Sequence, residues 1–149
     1  MTDFSKPEDL EFNRGLIEDP AALARESGAA SWLYLCGEEF AAMPEGMSYE
    51  DVRAAVPESA NIPVDTIPLN LDIARQQLAA LDDLPRPTLV TCRTGPKSSA
   101  LVYLYAGLKA GAMPDEVLAR AEADSAPFAG VEPLRAWVTQ GLSELGSRD

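Results

Sequence analysis

The sequence predicts an α/β fold: a single domain in three layers, with a mainly parallel sheet of four to five strands flanked by helices. Three observations carry this expectation. Short apolar runs such as SWLYLC (31–36) and PTLVTC (87–92) alternate with longer segments whose apolar residues recur at helical spacing. Prolines, serines and aspartates stand where helices would start, and glycines where they would stop. The resulting strand–helix alternation is that of a parallel sheet packed between helices. With 149 residues, 46% of them hydrophobic, residues 1–149 read as one domain, with 1–18 as a leader. A chain of this size buries roughly two thirds of the surface that it exposes when unfolded.

Taken in order, EDPAALARESG is the first helix. Asp19 suits the N-cap, Pro20 the first helical position and Gly28 the stop. Ser31 to Cys36 forms a short buried strand. Ser48, with Asp51 three residues on, starts a second helix that ends near Pro57. Ala60 to Val64 reads as a weak strand. NLDIARQQLAALDD then repeats Leu71, Ala74, Leu78 and Leu81 on one helical face. PTLVTC is the next strand, and Ser98 to Ala110 the next helix, stopped by Gly111. Pro114 opens a further helix, and VEPLRAWVTQGLSEL closes the chain with Leu134, Trp137, Val138 and Leu142 on one side. Leu101, Val102, Leu104, Tyr105, Leu108 and both tryptophans are core by the same spacing.

Charge and cysteine content exclude several function classes. A net charge of −12 opposes nucleic acid or an anionic membrane as partner. No apolar run approaches a membrane span, and the acidic, proline-broken start is unlike a signal peptide. Two cysteines and no histidine favour neither a zinc site nor a disulfide framework, so a reducing, cytoplasmic setting is expected. The acids are unevenly spread. None falls between Asp83 and Asp115, whereas Arg86, Arg93, Lys97 and Lys109 all do. Buried elements exclude carboxylates anyway, but that does not explain two cations inside the turn that follows Cys92.

That turn, CRTGPKSS, lies where a strand ends and a helix begins. Ligands of such sheets sit outside the carboxyl ends of the strands. Unpaired amides of a first helical turn, with the helix dipole, favour an anion there. The same field favours a thiolate: cysteines at helix N-termini beside cations reach pKa values of about 3.5–7.5, against ~8.5 for a free thiol. Cys92 is therefore the expected nucleophile, with Arg93, Thr94, Gly95, Lys97, Ser98 and Ser99 as the anion-binding set. Ser98 or Ser99 would hydrogen-bond the sulfur. Cys36 reads as a small buried hydrophobe.

VTCRTGPKSSALVYLYAG resembles the signature loop of the protein-tyrosine-phosphatase superfamily. Within it, the run is most similar to small bacterial phosphatase-like domains, a type also fused to beta-lactamase-like hydrolases. Those carry Cys-Arg-Ser-Gly-x-Arg-Ser after a strand; here the run is Cys92, Arg93, Thr94, Gly95, Pro96, Lys97, Ser98. The similarity extends from about Asp9 through the helices after Gly111. It implies a cysteine-phosphatase-like fold and hydrolysis of phosphomonoesters through a phosphocysteine. It also implies a loop aspartate as general acid: Asp65 is the matching residue and Asp72 the alternative. The implied partner is a phosphorylated small molecule or a phosphoprotein, with no metal and no organic cofactor.

The run also departs from the pattern. Tyrosine phosphatases proper place arginine six residues after the cysteine, where Ser98 stands. Lys97 keeps a positive charge but lacks the planar fork that grips two phosphate oxygens. Pro96 removes one amide from the loop, and Thr91 stands where a histidine is common. Losing one preorganised donor can cost about 10²–10³ in rate, so the expected activity is weak. Two alternatives follow from the same residues. The Cys92-to-Lys97 spacing is that of a rhodanese-like sulfurtransferase, and Pro96 with Lys97 suits a non-catalytic phosphate- or phosphoprotein-binding module.

Overall fold

The computed structural model describes residues 4–37, 42 and 43, 46–63 and 71–146. Four strands are described: β1 (Leu10–Phe12), β2 (Ser31–Tyr34), β3 (Glu58–Asn61) and β4 (Thr88–Thr91). They form one sheet in the order β1-β4-β2-β3, every neighbouring pair parallel. The helices are α1 (Pro20–Ser27), α2 (Tyr49–Ala55), α3 (Leu71–Asp83), α4 (Pro96–Ala110), α5 (Pro114–Ala123) and α6 (Glu132–Gly146). A 3₁₀ turn, Pro127–Gly130, separates α5 from α6. The expected α/β fold, a mainly parallel sheet of four to five strands flanked by helices, is therefore present.

Alternation along the strands builds two cores. On one face, Trp32, Tyr34 and Leu89 pack with Ala24 of α1, Val52 of α2 and Met47. On the other, Leu33, Leu35 and Val90 meet Ala74 and Leu81 of α3 and the long apolar run of α4, with α5 and α6 behind. This alternation is the two-residue period of a strand buried on both sides. The buried hydroxyls and indole of the central strands pair with one another: Ser31 Oγ lies 2.9 Å from Thr88 Oγ1, and Trp32 Nε1 donates to Thr91 Oγ1 at 2.8 Å. The Tyr34 hydroxyl donates to the Met47 carbonyl.

Residues 98–107 of α4 are all buried, and glycine lets neighbouring helices come close. A Cβ on Gly107 would lie 2.8 Å from Val117 Cγ2 and 2.9 Å from a Leu142 methyl; one on Gly141 would lie 2.9 Å from a Leu104 methyl. The expected caps are in place at α1 and α2: Asp19 accepts from the Ala22 amide at 3.1 Å, Gly28 has φ +68°, and Ser48 accepts from the Asp51 amide at 3.2 Å.

Several boundaries differ from expectation: the strand read at 31–36 ends at Tyr34, and that read at 87–92 spans Thr88–Thr91. The leader contains β1, whose pairing with β4 decides its conformation: Leu10 stands opposite Thr88 and Phe12 opposite Val90. The third strand lies at 58–61 rather than 60–64, set by pairing of Glu58 with Ser31 and Asn61 with Tyr34; Val64 lies outside the described residues. Beyond that last pair, Asn61 Nδ2 donates to the carbonyls of Tyr34 and Cys36 at 2.9 and 3.0 Å. Helix α4 starts two residues early, because Pro96 takes its first position. Among the described residues, no helix is long and apolar enough to cross a membrane.

Candidate active site

β4 ends at Thr91, α4 starts at Pro96, and the turn between them is Cys92, Arg93, Thr94 and Gly95. Cys92 is 4% exposed, the last core residue before the chain leaves the sheet. Its sulfur accepts from two backbone amides, Gly95 N at 3.2 Å and Ser98 N at 3.3 Å. Ser98 Oγ lies 3.5 Å from the sulfur and also contacts the Gly95 carbonyl at 3.1 Å. Amides aimed at one atom stabilise negative charge on it.

Gly95 makes this turn possible. Its φ is +119°, and a Cβ there would lie 2.2 Å from the Asn13 carbonyl oxygen and 3.2 Å from Pro127 Cγ. No L side chain fits without backbone movement, and that conformation itself favours glycine. The first turn of α4 carries no acid and has no side-chain cap.

The structure brings most of the expected set together. Arg93 and Thr94 are exposed at the mouth of the turn, Lys97 is half-buried, and Ser98 is fully buried against the sulfur. Ser99 is the exception. Its amide donates to the Gly95 carbonyl, while its hydroxyl donates to the Pro96 carbonyl and accepts from the Phe128 amide at 3.1 Å. Ser99 thus docks the 3₁₀ turn onto α4, because the helix points it into the core. Asp65 lies outside the described residues. Asp72 sits in the first turn of α3, exposed, 2.9 Å from Arg75 Nη1.

Of the four cations in the acid-free segment, two serve elsewhere. Arg86 donates to the carbonyls of Leu81 and Leu84 and to the Tyr105 hydroxyl. Lys109 pairs with Asp82 at 2.8 Å near the far end of α4, which holds that carboxyl below its usual range. Arg93 and Lys97 remain beside the cysteine. Their field reaches Cys36 on the adjoining strand's end, where both work to lower the thiol's pKa. Burial, seconded by the neighbouring Cys92, outweighs them and pushes Cys36 up to about 11. Cys36 is thus protonated at neutral pH, consistent with a packing role.

Asn13 is the residue that sequence reasoning missed. It is 7% exposed and bonds to Cys92 across 79 residues of chain. A polar residue in an unpatterned leader gives no local signal of this. Among the described residues, no three metal-ligating side chains come together.

Comparison with solved structures identifies the architecture. A candidate phosphatase of Shewanella putrefaciens CN-32 is similar at 22% identity, over 95% of this chain and 91% of that one, with a TM-score of 0.71. The chain shares the fold of that candidate phosphatase. A second candidate phosphatase, from Neisseria meningitidis, is similar at 19% identity, covering 95% of this chain and 99% of the other, with a TM-score of 0.68. The core catalytic domain of a PP-IP phosphatase from S. cerevisiae covers 97% and 88% at 13% identity, with a TM-score of 0.64. Tk-PTP, at 17% identity and a TM-score of 0.69, matches over 100% of both chains. No family model matches the sequence, and no curated protein does. In this phosphatase-like fold, Cys92 occupies the end of a central parallel strand, where such sheets place their ligands.

Proposed function

We propose that the chain is a cysteine-dependent phosphatase of the protein-tyrosine-phosphatase superfamily, hydrolysing phosphomonoesters through a phosphocysteine at Cys92. One observation carries this reading: the Gly95 and Ser98 amides converge on a buried sulfur at the start of α4. The thiolate, not the thiol, is the nucleophile, and such donors favour it. The sulfur attacks phosphorus, the bond from phosphorus to the leaving oxygen breaks, and Asp65 gives that oxygen its proton. Water then attacks the phosphocysteine, returning a proton to Asp65; the sulfur–phosphorus bond breaks and orthophosphate leaves.

Arg93, Thr94, Gly95 and Lys97 hold the phosphoryl oxygens by backbone and side chain, and Ser98 serves through its amide, which donates to the departing sulfur. Ser99 has no place in this cradle, because both of its polar groups are engaged elsewhere. The ion pair with Arg75 favours Asp65 over Asp72 as the acid. The scheme needs neither metal nor organic cofactor. Its substrate is a phosphorylated small molecule or a phosphoprotein, met in a reducing cytoplasm that keeps Cys92 a thiol. Fold neighbours described as phosphatases support the reading. The Cys92–Ser98 run supports placement with the small bacterial domains of the type also fused to beta-lactamase-like hydrolases.

The test is hydrolysis of p-nitrophenyl phosphate by the purified chain. Wild type should turn it over slowly, and Cys92→Ser should abolish turnover while keeping the melting temperature. Pro96, which has no amide, and Lys97, which has no fork, favour a second reading as a phosphate-binding module. Equal null turnover in both proteins, with orthovanadate raising the melting temperature, would select that module. Sulfur transfer from thiosulfate to cyanide would select a sulfurtransferase instead.

A further inference from the structure

Past Phe12, the β1 backbone leaves β4, and the Asn13 side chain takes over the pairing. Its Oδ1 accepts from the Cys92 amide at 3.2 Å, and its Nδ2 donates to the Cys92 carbonyl at 2.9 Å. The carboxamide thus satisfies both main-chain groups of one residue, as a neighbouring strand does in a parallel ladder. Nδ2 also donates to the Gly15 carbonyl at 2.9 Å and lies 3.4 Å from that of Arg93. The Ser98 hydroxyl donates to Oδ1 at 3.0 Å. Turning the amide over would set a donor against the Cys92 amide and an acceptor against three carbonyls, so the network fixes its orientation.

A continuous chain of contacts therefore runs from the sulfur to Ser98 Oγ and on to Asn13 Oδ1. The Asn13 carbonyl, on the same residue, is the surface on which Gly95 closes. The residue after β1 thus touches three parts of the turn that holds the sulfur: the Cys92 main chain, the Ser98 hydroxyl and the Gly95 backbone.

We propose that Asn13 is the positioning residue for the nucleophile. It fixes the Cys92 main chain and directs the Ser98 hydroxyl, and so keeps the Gly95 and Ser98 amides aimed at the sulfur. This rests on the reading of Cys92 as a phosphatase nucleophile, and it adds a residue outside the signature run. Asn13 touches no reacting atom and works through Cys92 and Ser98. Among the described residues, the charged and titratable groups around the sulfur are Tyr34 and Cys36 from the β2 side, Arg93 in the turn and Lys97 on α4. Arg14, next to Asn13, is turned toward the Ser125 and Asp124 carbonyls. All of these are kept in the variants below, so differences from wild type report on the amide.

The test compares wild type, Asn13→Ala and Asn13→Asp, with melting temperature as the check on folding. Asn13→Ala should lower kcat on p-nitrophenyl phosphate by about 10²-fold with KM changed less than about threefold, the mark of an interaction that serves the transition state. Alkylation of Cys92 by iodoacetamide, followed on its own peptide by mass spectrometry, should move its pH midpoint up by about one unit in that variant as the amides lose their aim. Asn13→Asp keeps the shape, and a protonated carboxyl offers one donor and one acceptor. Its kcat relative to wild type should therefore recover at least about fivefold between about pH 7.5 and about pH 5.5.

A folded Asn13→Ala with the wild-type alkylation midpoint overturns the proposal, as does a rise in KM with kcat kept. If Asn13→Ala does not fold, the Asn13→Asp profile decides, and a flat ratio across that range is negative. Wild type without turnover sinks the phosphatase reading itself, and the alkylation midpoint alone then judges Asn13.

Discussion

Helices α1 and α4 both begin with proline in the first position, and they treat the amides behind it in opposite ways. At α1, the Asp19 carboxylate accepts from the Ala22 amide at 3.1 Å. At α4, the residue before the proline is Gly95, which has no side chain to offer, and the equivalent amide, that of Ser98, donates to Cys92 Sγ at 3.3 Å. Helices α2 and α5 follow α1 in gathering charge, with Glu50 and Asp51 in one first turn and Asp115 and Glu116 in the other. The first turn of α4 carries Lys97 and no acid. A capping carboxylate neutralises a helix start and completes it. A sulfur buried in the same place leaves the local field directed at a reactive atom. The two starts use one backbone device, for stability in α1 and for chemistry, as proposed, in α4.

The comparison breaks most severely at Gly95. Gly95→Ala should cost about 2–4 kcal/mol, combining an unfavourable φ with a Cβ driven into the Asn13 carbonyl. Urea unfolding would measure it, and turnover should vanish with the turn. A cost under about 0.5 kcal/mol, the range of ordinary surface substitutions, would mean that the turn can relax and that the sulfur is not locked by it. A smaller effect is expected at the other start. Asp19→Ala should remove about 1 kcal/mol of stability, the usual value of an N-cap, while leaving kcat/KM unchanged. Loss of activity there would show that the two faces of the sheet are coupled.

The smallest effect concerns the acids that α4 keeps away from its start and gathers on its flanks. Arg120, followed by the Tyr103 hydroxyl, holds the Asp124 carboxyl below its usual range. A depressed folded-state pKa contributes stability above the unfolded value of about 3.9, and that contribution is lost as pH falls through the folded value. Urea midpoints should therefore stay level above about pH 5 and decline below about pH 4, with Asp124→Asn flattening the decline.

How much of this was legible in the sequence depends on how local each signal was. Helix α1 could be read complete, because Asp19, Pro20 and Gly28 each act within one turn. The Cys92 turn was legible for the same reason: strand, glycine, proline and helix follow one another without a gap. β1 was not, since Leu10–Phe12 is too short for alternation to show and its conformation comes from pairing with β4. Ser99 read like Ser98, but a contact with Phe128, 29 residues away, claims its hydroxyl. Asn13 was invisible for a stronger version of that reason, its partners lying 79 and 85 residues along the chain.

Asn13 and Asn61 stand at corresponding places, just where each outer strand ends, and both hand a carboxamide to the inner strand beside them. At β1 a side chain standing in for peptide keeps the neighbour's polar atoms paired once the outer chain has left the ladder. At β3 it adds to a backbone bond from the Ile62 amide to the Tyr34 carbonyl. The ends of β2 and β4 beside the cysteine turn thus keep their polar atoms paired where the outer strands stop.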